Sequence, residues 1–240
     1  GGGMVNEGLA SVHTGLKADA DIAEIIQVER NIRLAEYTGG AIHFTGLSTA
    51  ESVELIRKAK KNKLDVTADV HAMNLLFTEE SVFDFDSNYK VMPVLRTEKD
   101  RKALWKGLKD GTIDTVVSDH RPGDKEEKDV EFDLAHFGAI QLQTAFAALM
   151  ADENADIELL CEALGNKARS IANINNASIE VSQIADITIF SSTSKWIFDK
   201  EIIISNTENS PFINTEFSTQ IIAVINQGKM LVNDTVYGEA

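Results

Sequence analysis

Residues 112–124 read T-I-D-T-V-V-S-D-H-R-P-G-D, a β-branched run that breaks at Ser118 into Asp119, His120 and a Pro122-Gly123 turn. A buried strand of a parallel sheet with a carboxylate at its carboxyl tip is where α/β barrels carry their chemistry. The residues alone also allow a strand followed by a polar loop, so the flanking pattern has to decide. Upstream, T-E-K-D-R-K-A-L-W-K-G-L-K-D-G at 97–111 predicts a helix capped by Thr97 and closed by Gly111. V-M-P-V-L at 91–95, L-D-V-T-A-D-V-H at 64–71 and A-I-H-F-T-G-L at 41–47 are further strand candidates. The run 48–63 between the last two is helical in pattern, with Ser48 and Glu51 at capping-box spacing. From Asp21 the apolar residues Ile22, Ile25, Val28, Ile32 and Ala35 recur at three and four, which predicts a helix stopped by Gly39-Gly40. Strands alternating with helices specify right-handed βαβ units and a parallel sheet, so the class is α/β.

The ends of the chain differ from this middle. Residues 1–18 hold five glycines and little periodicity and read as a loop, with Gly1 to Gly3 taken as a cloning remnant and Met4 as a start. After the loop G-D-K-E-E-K-D-V-E-F-D, segments 137–151 and 157–172 are helical in pattern. From about 178 the pieces I-A-D-I-T-I-F, K-W-I-F, E-I-I-I and T-Q-I-I-A-V-I-N-Q-G-K-M-L-V predict a separate small β segment. The expected division is therefore 1–177 and 178–240.

Composition narrows the function classes. Lys and Arg total 23 against 38 Asp and Glu, a formal charge of −15, so the surface repels polyanions and no nucleic-acid role is expected. The one basic run, K-A-K-K-N-K at 58–63, fits the last turn of a helix, where cations oppose the negative end of the dipole. No window of eighteen or more apolar residues could cross a bilayer, and no leader pattern is present, so no membrane partner is expected. A single cysteine excludes an intramolecular disulfide and makes a reducing cytoplasm the default. Cys161, within I-E-L-L-C-E-A-L, reads as a buried helical thiol. Trp105 and Trp196 read as packing residues of a helix and of the β segment, and His13 as a loop residue.

Nine strings in order resemble the dihydroorotases of the cyclic amidohydrolase superfamily, of the bacterial type. They are N-E-G-L-A-S, G-L-K-A-D-A-D-I-A-E, L-A-E-Y-T-G-G, L-S-T-A-E-S-V-E-L-I-R, L-L-F-T-E-E, N-Y-K-V-M-P-V-L-R, D-G-T-I-D-T-V-V-S-D-H-R-P, F-G-A-I-Q-L-Q-T-A and A-D-I-T-I-F. The resemblance implies part of a TIM-type (β/α)8 barrel, strands five to eight, with a C-terminal tail contributing to a small composite β domain. It implies zinc as cofactor and interconversion of carbamoyl aspartate and dihydroorotate in pyrimidine biosynthesis. The family's His-x-His strand and bridging carboxylated lysine or aspartate precede the first residue here. Such a half-barrel has two unpaired sheet edges, to be completed by an N-terminal half, a second copy or another protein.

By the same resemblance Asp119 occupies the acid/base and metal position; His71 joins it as a candidate metal ligand from its strand parity alone. His120 and His136 are the candidate substrate-binding residues; His136 precedes the F-G that in the family packs near the substrate. Other positions depart from the pattern: Gly46 and Met73 stand where the family has metal-binding histidines. Asn74 stands at a neighbouring histidine, Met92 at a substrate-reading asparagine and Gly123 at a second histidine. His43, an odd offset from Gly46, is expected on the opposite face of its strand, toward the core or a helix. His71, two before Met73, has the parity to point inward, but a ligand at 73 would lie about one pleat, roughly 6–7 Å, further along. The expectation is a catalytically degenerate pseudoenzyme acting as a non-catalytic or scaffolding homologue, with aspartate transcarbamoylase as a partner and a homo-oligomeric assembly. The alternative is an active metal-dependent dihydroorotase.

Overall fold

The computed structural model describes residues 2–226, 229–232 and 235–237. In chain order the elements are β1 (Val5–Asn6), α1 (Leu9–Thr14), β2 (Ala18–Asp19), α2 (Asp21–Thr38), β3 (Ile42–Phe44), α3 (Ala50–Lys61), β4 (Val66–His71), α4 (Ala72–Leu76), α5 (Glu98–Lys109), β5 (Thr115–Val117) and α6 (Lys125–Lys128). There follow α7 (Ala145–Met150), α8 (Ile157–Cys161), a π-helical turn at 162–166, and α9 (Lys167–Ile171). The strands β6 (Ile187–Ser191), β7 (Trp196–Phe198), β8 (Thr215–Phe217), β9 (Gln220–Asn226), β10 (Lys229–Val232) and β11 (Thr235–Tyr237) complete the chain.

A three-stranded parallel sheet, β3-β4-β5, places the site. Ile42 pairs with Val66, Phe44 with Ala68, Asp69 with Thr115 and His71 with Val117. Strand alternation sends Val66, Ala68 and Val70 of β4 to one face, where they pack with Phe44 and Val116 against Val53 and Ile56 of α3 and Leu104 and Trp105 of α5. Thr67, Asp69 and His71 are left on the other face, where a closed barrel would have its interior. α5 can approach α3 because Gly107 has no side chain: a Cβ there would lie 2.9 Å from Val53 Cγ1. Trp105 is fully enclosed, its indole Nε1 donating to Leu75 O at 2.9 Å.

Several local expectations are corrected. Val91–Leu95 forms no strand; Pro93 has no N–H to offer a ladder, and β4 pairs directly with β5. The barrel portion therefore has three strands, with 112–124 supplying the third. Residues 1–18 are not one loop, since β1 pairs in parallel with β2 around α1, with His13 on α1 stacked on Phe83 at 4.3 Å between ring centroids. Thr49, not Ser48, caps α3, accepting from Ser52 N, while Ser48 is drawn away to Glu24. In the expected helix 137–151 only Ala145–Met150 is helical, because 138–141 is held extended by Gly138 N donating to Lys90 O and Ile140 N to Asn209 O. Cys161 is exposed; the helix turns Leu160 inward instead.

Thr97 caps α5 in a full capping box with Asp100, as its spacing predicts. The basic end of α3 meets the opening stretch directly, with Lys60 Nζ 2.6 Å from Asp114 Oδ2. The β-rich tail forms one four-stranded sheet, β11-β10-β9-β6, and the pair β7-β8. Trp196 packs there on Phe217, its Nε1 donating to Thr219 O at 2.7 Å. Gln227 and Gly228, within the last predicted β run, lie outside the described residues, as does Gly1. No helix among the described residues is long and apolar enough to cross a membrane.

Candidate functional site

β5 ends at Val117, and two residues later Asp119 adopts a left-handed backbone, φ +47°. This turn throws its carboxylate across the sheet toward β4. Asp119 Oδ2 lies 3.3 Å from His71 Nδ1 at the tip of β4, and Oδ1 accepts from Arg121 Nε at 2.9 Å. Both side chains of the His71–Asp119 pair are largely enclosed. Burial alone would raise the Asp119 carboxyl, but the hydrogen bond and charge of His71, then those of Arg121, outweigh it and hold it below the ordinary carboxylate value.

Beneath this pair lies a second. Asp69, 3% exposed, accepts from Gly46 N at 2.6 Å and Thr45 Oγ1 at 3.2 Å, and lies 3.0 Å from His43 Nε2. His43 Nδ1 contacts Thr67 Oγ1 at 2.8 Å. The expectation that His43 faces the core or a helix is thus wrong. β3 ends at Phe44 and Gly46 turns with φ +71°, so counting parity from Gly46 back along the strand fails. His43 shares the face of Thr67, Asp69 and His71, and that face carries polar residues where barrel interiors are commonly filled by branched apolar ones.

The other candidates separate. His120 forms an isolated bridge with Ala139, and its Nδ1 accepts from Gln141 N at 3.0 Å and Leu142 N at 3.2 Å. That places the imidazole proton on Nε2. Burial lowers its pKa, which also favours the neutral ring. His136 is two-thirds exposed, with Nδ1 3.3 Å from Glu127 Oε1, and among the described residues no hydrogen bond joins it to Asp119. Met73 is 1% exposed inside an apolar cluster with Val91, Leu95 and Ala147. Asn74 is buried and donates from Nδ2 to Val94 O at 3.1 Å. A cleft of about 690 Å³ lies beside Gly123 and Lys128, and Asp119 does not line it.

Sequence reasoning missed Asp69, Arg121 and the groups that brace the strand tips. Arg96, 4% exposed, donates to Ser48 Oγ, Asn6 Oδ1 and the side chain and carbonyl of Asp19, so it ties β1 and β2 to the loop after β3. Glu24 of α2 accepts from the Ser48 and Thr49 N–H groups and hydroxyls. Buried lysines anchor the loop after Asp119. Lys128 Nζ donates to Ser87 O, His136 O and Gly138 O at 2.6–2.9 Å, and Lys90 Nζ to Phe132 O and Asp133 O. Burial, then repulsion from Lys90, brings the Lys128 ammonium down to about 8. The one available signal was an arginine placed directly after the apolar run Val91–Leu95, since a charge carried into a core requires partners.

The donor set does not fit the zinc that the resemblance implies. Position 46 has no side chain, and a Cβ there would lie 2.9 Å from His71 Nε2. Position 73 is a thioether in an apolar cluster, and both Asp119 oxygens already have partners. Among the described residues no group of three or more His, Cys, Asp or Glu side chains is placed to hold an ion.

Residues 12–231 match the amidohydrolase family. The chain is 38% identical over 239 residues to a dihydroorotase of Caldicellulosiruptor saccharolyticus, covering 98% of this chain and 56% of that protein. It is 39% identical over 216 residues to a dihydroorotase of Staphylococcus epidermidis, covering 88% and 51%. Among solved structures it resembles the L-hydantoinase (dihydropyrimidinase) of Arthrobacter aurescens, with TM-score 0.81 and 22% identity over 98% of this chain and 52% of that one. A D-hydantoinase of Bacillus sp. AR9 gives TM-score 0.81 and 23% identity, covering 95% and 53%. The chain spans about half the length of the curated relatives it matches.

Proposed function

Because this chain belongs to the amidohydrolase family and is dihydroorotase-like over nearly its whole length, we propose that it is part of a dihydroorotase homologue of pyrimidine biosynthesis whose usual site no longer supports hydrolysis. The observation that carries this reading is the engagement of Asp119 by His71 and Arg121, with Gly46 and Met73 at the positions of two ligands. Opening a cyclic amide needs an activated water, and in this family a metal supplies the activation by lowering the water's pKa from about 15.7 toward about 7. A carboxylate held below its ordinary pKa is a weak base and cannot replace that effect.

The role left for the barrel is structural, in a cytoplasmic homo-oligomer that supports aspartate transcarbamoylase. Full-length protein, including the part that relatives carry beyond this chain, is incubated with dihydroorotate and with carbamoyl aspartate, and Asp119→Asn sets the background. The expected result is equal rates for both proteins. Turnover that disappears in Asp119→Asn overturns the reading in favour of an active dihydroorotase. Pull-down with aspartate transcarbamoylase tests the partner separately.

A further inference from the structure

We infer that Gly46 and His71 exchange space: position 46 has no side chain and the His71 imidazole occupies the volume one would need, which closes the strand tips around Asp119 and leaves no divalent-cation site there. This rests on the reading above that relatives carry a metal-binding histidine at position 46, and it goes further by describing a rebuilt cluster in place of a decayed one.

Three features coincide at this point. The first is space: a Cβ on Gly46 would lie 2.9 Å from Nε2 and 3.1 Å from Cε1 of His71, and 3.2 Å from Pro93 Cδ, so the imidazole fills the volume that a side chain at 46 would need. The second is backbone. Gly46 has φ +71°, a left-handed conformation that glycine adopts freely, and its N–H is held at 2.6 Å by Asp69 Oδ1. Asp69 lies two residues before His71 on the same face of β4, so one strand carries both the group that holds Gly46 and the group that uses its space.

The third feature is charge. Asp119 meets His71 on one oxygen and Arg121 on the other. The guanidinium is permanently cationic. A divalent ion approaching Asp119 would have to displace Arg121 from one oxygen and His71 Nδ1 from the other, while His71 Nε2 faces Gly46. His71, Asp119 and Arg121 therefore satisfy one another without a bridging cation.

Two measurements on full-length protein test the exchange. Protein produced in zinc-supplemented medium is analysed by inductively coupled plasma mass spectrometry and titrated with zinc chloride by calorimetry. Substoichiometric metal and no saturable binding are expected; one zinc per chain that is lost in Asp119→Asn overturns the inference. The His71 imidazole resonances are then followed by NMR in wild type, Asp119→Asn and Gly46→Ala. Both substitutions should shift them, and resonances unmoved by Gly46→Ala would overturn the shared volume. The outcome separates this inference from the functional reading. Zinc-free turnover of dihydroorotate refutes the non-catalytic role and leaves the exchange intact, whereas bound zinc without turnover refutes the exchange alone.

Discussion

Gly46→Ala adds one methyl group where the fold has no room for it. An alanine held at φ +71° carries a left-handed backbone cost of roughly 1–2 kcal/mol. Its Cβ would also lie 2.9 Å from His71 Nε2 and 3.2 Å from Pro93 Cδ, and forcing a methyl into a packed site costs about 1–3 kcal/mol more. The total loss is about 2–5 kcal/mol. His71→Ala removes the imidazole, so in that background Gly46→Ala should retain the backbone part, roughly 1–2 kcal/mol, and the milder contact with Pro93 Cδ. The double-mutant cycle should therefore give a coupling of about 1–3 kcal/mol, within the range measured for residues in contact. Urea unfolding of the four proteins, followed by tryptophan fluorescence and circular dichroism, supplies the free energies. An equal penalty in both backgrounds would show that residues 46 and 71 do not share space, and a neutral Gly46→Ala would refute the turn geometry as well.

Other groups give independent predictions. Lys128→Met keeps the length of the side chain but removes three donors from carbonyls at Ser87, His136 and Gly138, and should cost about 2–4 kcal/mol in thermal or urea unfolding; a change below the error of the melt would refute an anchoring role. Asp69→Asn preserves shape but replaces a carboxylate that accepts from Gly46 N and Thr45 Oγ1 beside His43; about 1–3 kcal/mol should be lost from the urea midpoint, and an unchanged midpoint would count against the network. Asp119 is held below the ordinary carboxylate pKa, so its contribution to stability is fully present above the unfolded value of about 3.9 and is lost as pH falls through the lower folded value. Asp119→Asn should therefore flatten the acid limb of a stability-against-pH curve, and parallel curves for the two proteins would exclude that linkage.

Much of the middle of the chain is legible without coordinates. The 3.6-residue recurrence in α2, the Thr97 capping box of α5 and the β-branched run ending at Asp119 each depend on neighbours a few residues away. Readings fail where a distant group intervenes. Ser48 has the spacing of a cap, but Glu24 on another helix competes for it and Thr49 takes over. Val91–Leu95 has strand composition, but β4 and β5 already pair with each other. Cys161 has the composition of a buried thiol, but Leu160 is the residue that its helix turns inward.

The site divides in the same way. Asp119 at a strand tip, a glycine at 46 and a thioether at 73 are visible in the order of residues alone. That His71 would enter the space left by Gly46 is not, because the two are 25 positions apart and meet only through the register of β3 on β4. Arg121 gives no warning as one more polar residue in a loop, yet it sits 2.9 Å from the carboxylate that defines the site. Local pattern sets helices, strands and the identity of the tip residue because those depend on backbone propensity and periodicity over a few positions. Which side chains satisfy Asp119 was decided by tertiary structure, because a buried charge takes its partners from whatever the fold brings within about 4 Å of it, at any separation in sequence.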